Sequence, residues 1–301
     1  MIGAVDIGGT KIAVGAVGDD GTILYRKECL TEPQRGFPDA MVRIQEMLHG
    51  AVEAGGPLQG IGIACPGPLD PFTGVIGDVG TLPGWMGCNL IEQIEKEFGV
   101  SVAVENDADA AALAEHGWGA GRGADNFIYV TVSTGIGGGI ILGGRLYRGV
   151  AGSHPEVGHQ VIDSSGPLCY CRAHGCWESL ASGTAMSAWM SDKAPERGKM
   201  SAAAICAMSA QGDVLARQAV LREGHYLGIG LANLATLFAP EVIALGGGVM
   251  KSSSLFLDDA LMVVREYCTQ VPAEAIRIVL SSLGADAGLQ GAAQTWRMHH
   301  A

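Results

Sequence analysis

Two stretches of this chain share one grammar, an apolar run, a glycine turn and a second apolar run, and that repetition constrains the fold more than any other feature. The first takes residues 2–7, the turn Gly8-Gly9-Thr10-Lys11 and residues 12–17; the second takes residues 127–132, a Ser-Thr-Gly turn and residues 138–142. Each reads as strand, turn, strand, and helical and strand patterns alternate downstream of both, so the chain is read as a duplicated α/β architecture. In the first half a third short strand is expected at 22–25, a helix at 38–54, a strand at 61–65, a helix at 90–98, a strand at 102–104 and a helix at 108–115. The second half is expected to add helices at 181–190 and about 215–238, a strand at 242–245, a helix at 255–268, a strand at 276–280 and a helix at 287–297.

Glycine makes up 46 of the 301 residues, about twice the roughly 7% of ordinary usage. The excess has no three-residue period and comes with only 12 prolines, which excludes collagen and proline-rich linkers. With 48% hydrophobic and 17% charged residues the chain can bury a large core. A net charge of −12 excludes a nucleic-acid or anionic-membrane surface built on clustered Lys and Arg. Any phosphate partner must then be held mainly by backbone amides, which glycine exposes. No basic lead precedes an apolar stretch at the start, so a signal peptide is not expected and a cytoplasmic location is. The uncharged run 127–144 approaches membrane-span length, but Thr131, Ser133, Thr134 and its glycines read as strand, turn, strand.

Five constellations carry chemistry. Asp6, Gly8, Gly9, Thr10 and Lys11 combine free backbone N–H groups with a hydroxyl, an ammonium and a carboxylate suited to hydrated Mg²⁺; read alone, they also fit an ordinary hairpin turn. Ser133, Thr134, Gly135 and Gly137 repeat that setting, and two such loops point to nucleotide phosphates gripped from both sides. Gly246, Gly247 and Gly248 follow a strand and permit close approach of a flat group such as adenine; a plain strand-to-helix turn is the simpler reading. Glu105-Asn106-Asp107-Ala108-Asp109 stands at the carboxyl end of a strand, where α/β sheets place ligands and a carboxylate can accept a hydroxyl proton. The plainer alternative there is that Asp107 or Asp109 merely caps the helix.

The fifth is a cluster of Cys169, Cys171 and Cys176 downstream of His159, a donor set for a closed tetrahedral structural zinc, with His174 and His154 as competing nitrogen ligands. The remaining cysteines, Cys29, Cys65, Cys88, Cys206 and Cys268, are scattered and read as small buried apolar residues.

In this order, these residues, with Glu156-Val157-Gly158-His159 and Cys176-Trp177-Glu178, resemble the ROK family. That family groups bacterial sugar kinases and sugar-responsive repressors within the sugar kinase, actin and heat-shock ATPase (ribonuclease H-like) fold. The resemblance covers essentially the whole chain. It implies two α/β domains, residues 1–117 with 286–301 and residues 118–285, an active site in the cleft between them, and a last helix returning to the first domain. It further implies Asp107 as the general base for the sugar's primary hydroxyl, with Asn106, Glu156, His159 and Glu178 on the other hydroxyls and Gly67 close to the sugar. The two glycine turns would hold ATP phosphates with Mg²⁺, and the third would border the adenosine. His159 would then ligate zinc through one nitrogen and face the sugar through the other.

The repressor branch carries an N-terminal DNA-binding domain, whereas here the first phosphate loop begins at residue 6 and the net charge is wrong for DNA, so the expectation is a kinase. His154-Pro155 before Glu156 is shared with some fructokinase-like members, while Gly80-Thr81-Leu82-Pro83-Gly84-Trp85 is similar to a segment of glucokinase-like members with Thr81 in place of Asn. The balance leans to glucose phosphorylated at its 6-hydroxyl, with fructose or an N-acetylhexosamine as alternatives and a non-catalytic sugar sensor as the rival class. Family habit implies a homodimer or homotetramer.

Overall fold

A computed structural model describes residues 1–300. The chain forms two compact units: Met1–Gly123 with Gly139–Pro155 and the segment from Ser282 onward, and Ala124–Gly138 with Glu156–Ser281. The second domain expected from sequence took in residues 139–155, which here pack with the first unit.

The first unit opens with β1 (Ile2–Ile7), β2 (Lys11–Val17) and β3 (Ile23–Leu30), followed by α1 (Phe37–Gly55), β4 (Ile61–Cys65), α2 (Leu90–Phe98), β5 (Val102–Asn106) and α3 (Asp107–Trp118). The sheet order is β3-β2-β1-β4-β5, antiparallel among the first three and parallel from β1 to β4 to β5. Alternation along β1 sends its side chains to two separate cores. Val5 and Ile7 join a core with Ile44 and Leu48 of α1 and with Trp85, while Ala4 faces a second cluster of Ala110, Leu289, Ala292 and Ala293. The small residues on that face bring the last helix to backbone distance, so that a Cβ at Gly62 would lie 1.7 Å from the Ala292 carbonyl oxygen.

The next elements are β6 (Phe127–Val132), β7 (Ile136–Leu142), β8 (Arg145–Leu146), α4 (Trp177–Leu180), α5 (Gly183–Lys193), α6 (Ala202–Ala210), α7 (Val214–Phe238), β9 (Val242–Gly246), α8 (Leu257–Tyr267) and β10 (Arg277–Leu280). The final helix, α9 (Ala287–His300), belongs to the first unit. The second sheet is ordered β10-β9-β6-β7-β8. Its order matches the first sheet strand for strand, in keeping with a duplicated architecture. Residues 127–142 are two strands, and among the described residues no helix is long and apolar enough to cross a membrane.

Glu223 of α7 is buried at 1% exposure, and neither carboxyl oxygen has a hydrogen-bond partner. Burial raises its pKa from 4.5 to about 8, only partly opposed by Arg222. The neutral acid is therefore the form compatible with folding, and stability falls as pH rises from about 5 through 8. Glu223→Gln is expected to match the wild type near pH 5 and to exceed it at pH 8.5 by an amount on the order of 4 kcal/mol. Urea unfolding at the two pH values measures this; an equal difference at both would contradict the assignment.

Candidate active site

The parallel strands of the first unit end together. In register, Asp6 pairs with Ala64, Ala64 with Glu105, and Cys65 with Asn106. The carboxyl ends of β1, β4 and β5 thus deliver Asp6, Gly67, Asn106 and Asp107 to one edge, the usual ligand position of an α/β sheet. Asn106 caps α3: its Oδ1 accepts from the Ala108 N–H at 2.8 Å and the Asp109 N–H at 3.4 Å. Asn106 is therefore the N-cap, and Asp107, the first residue of the helix, shares the Ala108 N–H through its Oδ1 at 2.9 Å. A Cβ at Gly67 would stand 3.1 Å from Asn106 Nδ2, which brings those two predicted residues together.

Asp107 is open to solvent, yet enough protein surrounds its carboxyl that desolvation raises its pKa, partly opposed by the Ala108 N–H and by the charge of His154. Asp6 is raised to about 6, first by burial and then by the charge of Asp107. The first glycine turn is closed by Gly8 N–H donating to the Lys11 carbonyl at 2.8 Å, and Thr31 Oγ1 donates to the Gly8 carbonyl at 2.6 Å. Lys11 is paired with Glu28 at 2.9 Å. Thr81 lies against this turn, its Cβ 2.8 Å from where a Cβ of Gly9 would be.

In the second unit, parallel pairing of Thr131 with Gly246 brings the second and third glycine loops side by side. They border a cavity of about 650 Å³ lined by Ser133, Thr134, Thr184, Ser187, Lys199 and Gly248 among others. Thr184, Ser187 and Lys199 carry no signal in the sequence, because α5 and the segment before α6 hold no motif. Glu178 Oε2 accepts from the Ile136 N–H at 2.9 Å, tying α4 to the second loop.

His159, Cys169, Cys171 and Cys176 place one ligand atom each within 4.8 Å of one another. Cys169 Sγ is 3.6 Å from His159 Nδ1, and Cys171 Sγ is 3.4 Å from Cys176 Sγ. A tetrahedron with zinc–sulfur bonds of about 2.3 Å has edges of about 3.8 Å, so the four donors fit zinc as they stand. His174 is engaged elsewhere, its Nδ1 3.1 Å from the Gly166 carbonyl, and His154 is paired with Asp109. His159 is thus the histidine whose nitrogen could complete the donor set with the three cysteines. Its Nε2 meets the Tyr170 hydroxyl at 2.7 Å. Partial burial, then the charges of Glu178 and Glu156, raise the Tyr170 pKa to about 12, so Tyr170, Glu156, Glu178 and His159 share one neighbourhood. No sequence pattern singles out Tyr170.

The ROK family pattern matches residues 2–299. The chain belongs to the ROK family. It is 33% identical over 303 residues to a glucokinase of Thermotoga maritima, covering 96% of this chain and 95% of that protein. Its fold is similar to that of a ROK hexokinase from Thermus thermophilus, with a TM-score of 0.90 and 37% identity over 100% of this chain and 99% of the other. It is also similar to a ROK family glucokinase from Streptomyces griseus in complex with glucose and AMPPNP, with a TM-score of 0.79 and 34% identity over 97% of each chain.

Within this ROK chain the structure brings Asp6, Gly67, Asn106 and Asp107 together in one unit, and in the other it gathers Ser133, Thr134 and Gly248 at the cavity and Glu156, His159 and Glu178 beside the cysteines. Zinc there would be structural, since four protein donors leave no open position. Purified protein is expected to hold about one zinc per chain, to keep it in His174→Ala and to lose it in His159→Ala and Cys176→Ser. Elemental analysis of the three variants decides; zinc retained without His159 would exclude the assignment.

Proposed function

We propose that this chain transfers the γ-phosphoryl group of ATP to the 6-hydroxyl of a hexose, with glucose the preferred sugar. The observation that carries the reading is Asp107, a solvent-reachable carboxylate of raised pKa at the carboxyl end of β5 beside Asn106 and Asp6, in a chain of the ROK family. Asp107 accepts the proton of the 6-hydroxyl while that oxygen bonds the γ-phosphorus and the bridge to the β-phosphate breaks, releasing ADP. Asn106 Nδ2, Glu156, His159 Nε2 and Glu178 orient the sugar, with Gly67 leaving room for it. Gly8, Gly9, Thr10 and Lys11 hold phosphates, as do Ser133, Thr134, Gly135 and Gly137, and Gly246, Gly247 and Gly248 border the adenosine. Mg²⁺ bound with ATP supplies charge neutralisation. Asp6 fits as its holder because a partly buried carboxyl raised by a neighbouring carboxylate is relieved by a cation.

A two-domain organisation, with residues 139–155 counted in the first domain rather than within 118–285, is part of the same proposal, as are a cytoplasmic location and a homodimeric or homotetrameric assembly supported by family resemblance.

Asp107→Asn is expected to lower kcat by about 10²- to 10⁴-fold with little change in glucose Kd. ADP release with ATP, Mg²⁺ and a panel of glucose, fructose, N-acetylglucosamine and N-acetylmannosamine tests the substrate, and no turnover with any sugar would favour the sensor. Because the base must be ionised and its pKa is raised, the acid limb of kcat/KM is expected above the usual carboxylate range. A profile flat down to pH 4.5 in folded protein would exclude Asp107 as the base. Ala188→Leu, which fills a wall of the 650 Å³ cavity, is expected to raise the ATP KM about tenfold while leaving glucose Kd within about twofold.

A further inference from the structure

The turn from β5 into α3 carries three carboxylates, of which the proposed reaction uses one. The other two, Glu105 and Asp109, are 2% and 0% exposed. Carboxylates so deeply buried require partners. Both find them in one segment: Arg148 is ion-paired with Glu105 Oε2, and His154 Nδ1 stands 2.8 Å from Asp109 Oδ2. The segment between is fixed as well. The Arg148 guanidinium lies over the Phe72 ring at 5.6 Å and its Nη2 is 3.3 Å from His299 Nε2, while a Cβ at Gly152 would meet the Phe72 ring at 2.4 Å. All of these residues belong to the first unit.

Buried ion pairs contribute little net stability, because apolar packing of the same volume often does as well; their better-attested use is to specify one arrangement. Here the Arg148–Glu105 ion pair and the His154–Asp109 contact hold the two residues that flank one tripeptide, Asn106-Asp107-Ala108. We propose that residues 148–154 form a two-point clamp that positions the Asp107 carboxyl, with Arg148 and His154 as positioning residues acting through Glu105 and Asp109. The proposal rests on the reading of Asp107 as the base. Pinning Glu105 holds the end of β5, pinning Asp109 holds the first turn of α3, and the backbone between them has no slack. Asp107 is also faced by Asp6 of β1, whose own neighbours are Lys11, Arg26 and Glu28, by Cys65 of β4 and by Asp109; His154 is the positive charge that favours its ionised form.

The test uses the full chain, with kcat expressed per glucose-binding site from titration calorimetry. Arg148→Met and His154→Gln are each expected to lower kcat by about 10- to 100-fold with glucose KM within about threefold, the scale of a small misplacement of a reacting group. His154→Gln is also expected to move the acid limb of kcat to higher pH. Combining His154→Gln with Asp109→Asn, a neutral hydrogen-bonded pair, is expected to restore plateau kcat to within about fivefold and to move the limb back toward the wild-type position, because the Asp109 charge that opposes ionisation of Asp107 is lost together with the His154 charge that favours it. If Arg148→Met yields no folded protein, Arg148→Lys keeps the charge without the planar fork and is expected to lower kcat by about 3- to 10-fold at unchanged KM. Turnover per site within twofold of wild type in the Arg148 and His154 variants overturns the clamp. Asp107→Asn assayed in parallel separates the two claims: if it stays active the base assignment falls, and if it is inactive while the clamp variants are normal only the clamp falls.

Discussion

Every point at which the chain passes from one unit to the other is fastened to α3. The chain crosses after Gly123, Gly138, Pro155 and Ser281. Near the first crossing the Gly119 and Gly121 N–H groups donate to the Glu115 carbonyl, and near the last the Ser282 and Leu283 N–H groups donate to the Glu115 carboxylate at 2.9 Å each. At the second crossing, Gly139 packs so tightly on α3 that a Cβ there would lie 2.5 Å from the Ala112 methyl. The third is preceded by His154 on Asp109. This explains the alanine-rich composition of α3, since larger side chains would hold these segments and α9 away. The same helix begins with Asp107, so the proposed base stands on the element that anchors the crossings.

Glu115 shows why such an anchor is hard to replace. It is fully buried, and its carboxylate accepts from the Ala120, Ser282 and Leu283 N–H groups and the Ser282 hydroxyl. An ionised acceptor with several charge-assisted bonds is stable inside a protein, but removing it strands every donor at once, each costing about 1–3 kcal/mol. Glu223 is the opposite case, a buried carboxyl with no donor, held as the neutral acid by burial. The two differ in their partners.

Much of this was legible in the chain. Strand β4 and helix α2 fall where periodicity and punctuation put them, and the doubled strand–turn–strand grammar foretold the duplicated architecture. Strand β3 runs on to Leu30 because an edge strand exposes Arg26, Lys27 and Glu28, and such a strand lacks the apolar alternation that marks a half-buried one. Helix α6 escapes a periodicity reading because its run of Ala and Ser has no apolar stripe, and the helix expected from 255 breaks at Phe256, leaving α8 to start at Leu257. The rest of the cavity lining was invisible for a related reason: it comes chiefly from α5, α6 and the segment between them, mostly small residues without a motif, and it meets the glycine loops, which β6–β9 pairing sets side by side, only in the folded chain. Strand order likewise depends on long-range pairing that no local pattern encodes.

The zinc cluster marks the limit of such reading most clearly. Spacing alone offered three histidines, and each proves to be held by a different partner: His174 by the Gly166 carbonyl, His154 by Asp109 and His159 by the cysteines. The choice among them is made by how the chain folds back on itself, within about ten residues for His174 and His159 and across to α3 for His154. With a metal held by Nδ1 of His159, Nε2 would carry the ring proton and donate it. The Tyr170 hydroxyl, from between two of the cysteines, stands 2.7 Å from that nitrogen. A sugar hydroxyl reaching the same nitrogen would have to displace that phenol, so a residue between two of the cysteines stands at the donor that a metal would orient. Glu156 and Glu178 stand close enough for their charges to act on Tyr170, which places the phenol among the groups proposed to receive the sugar.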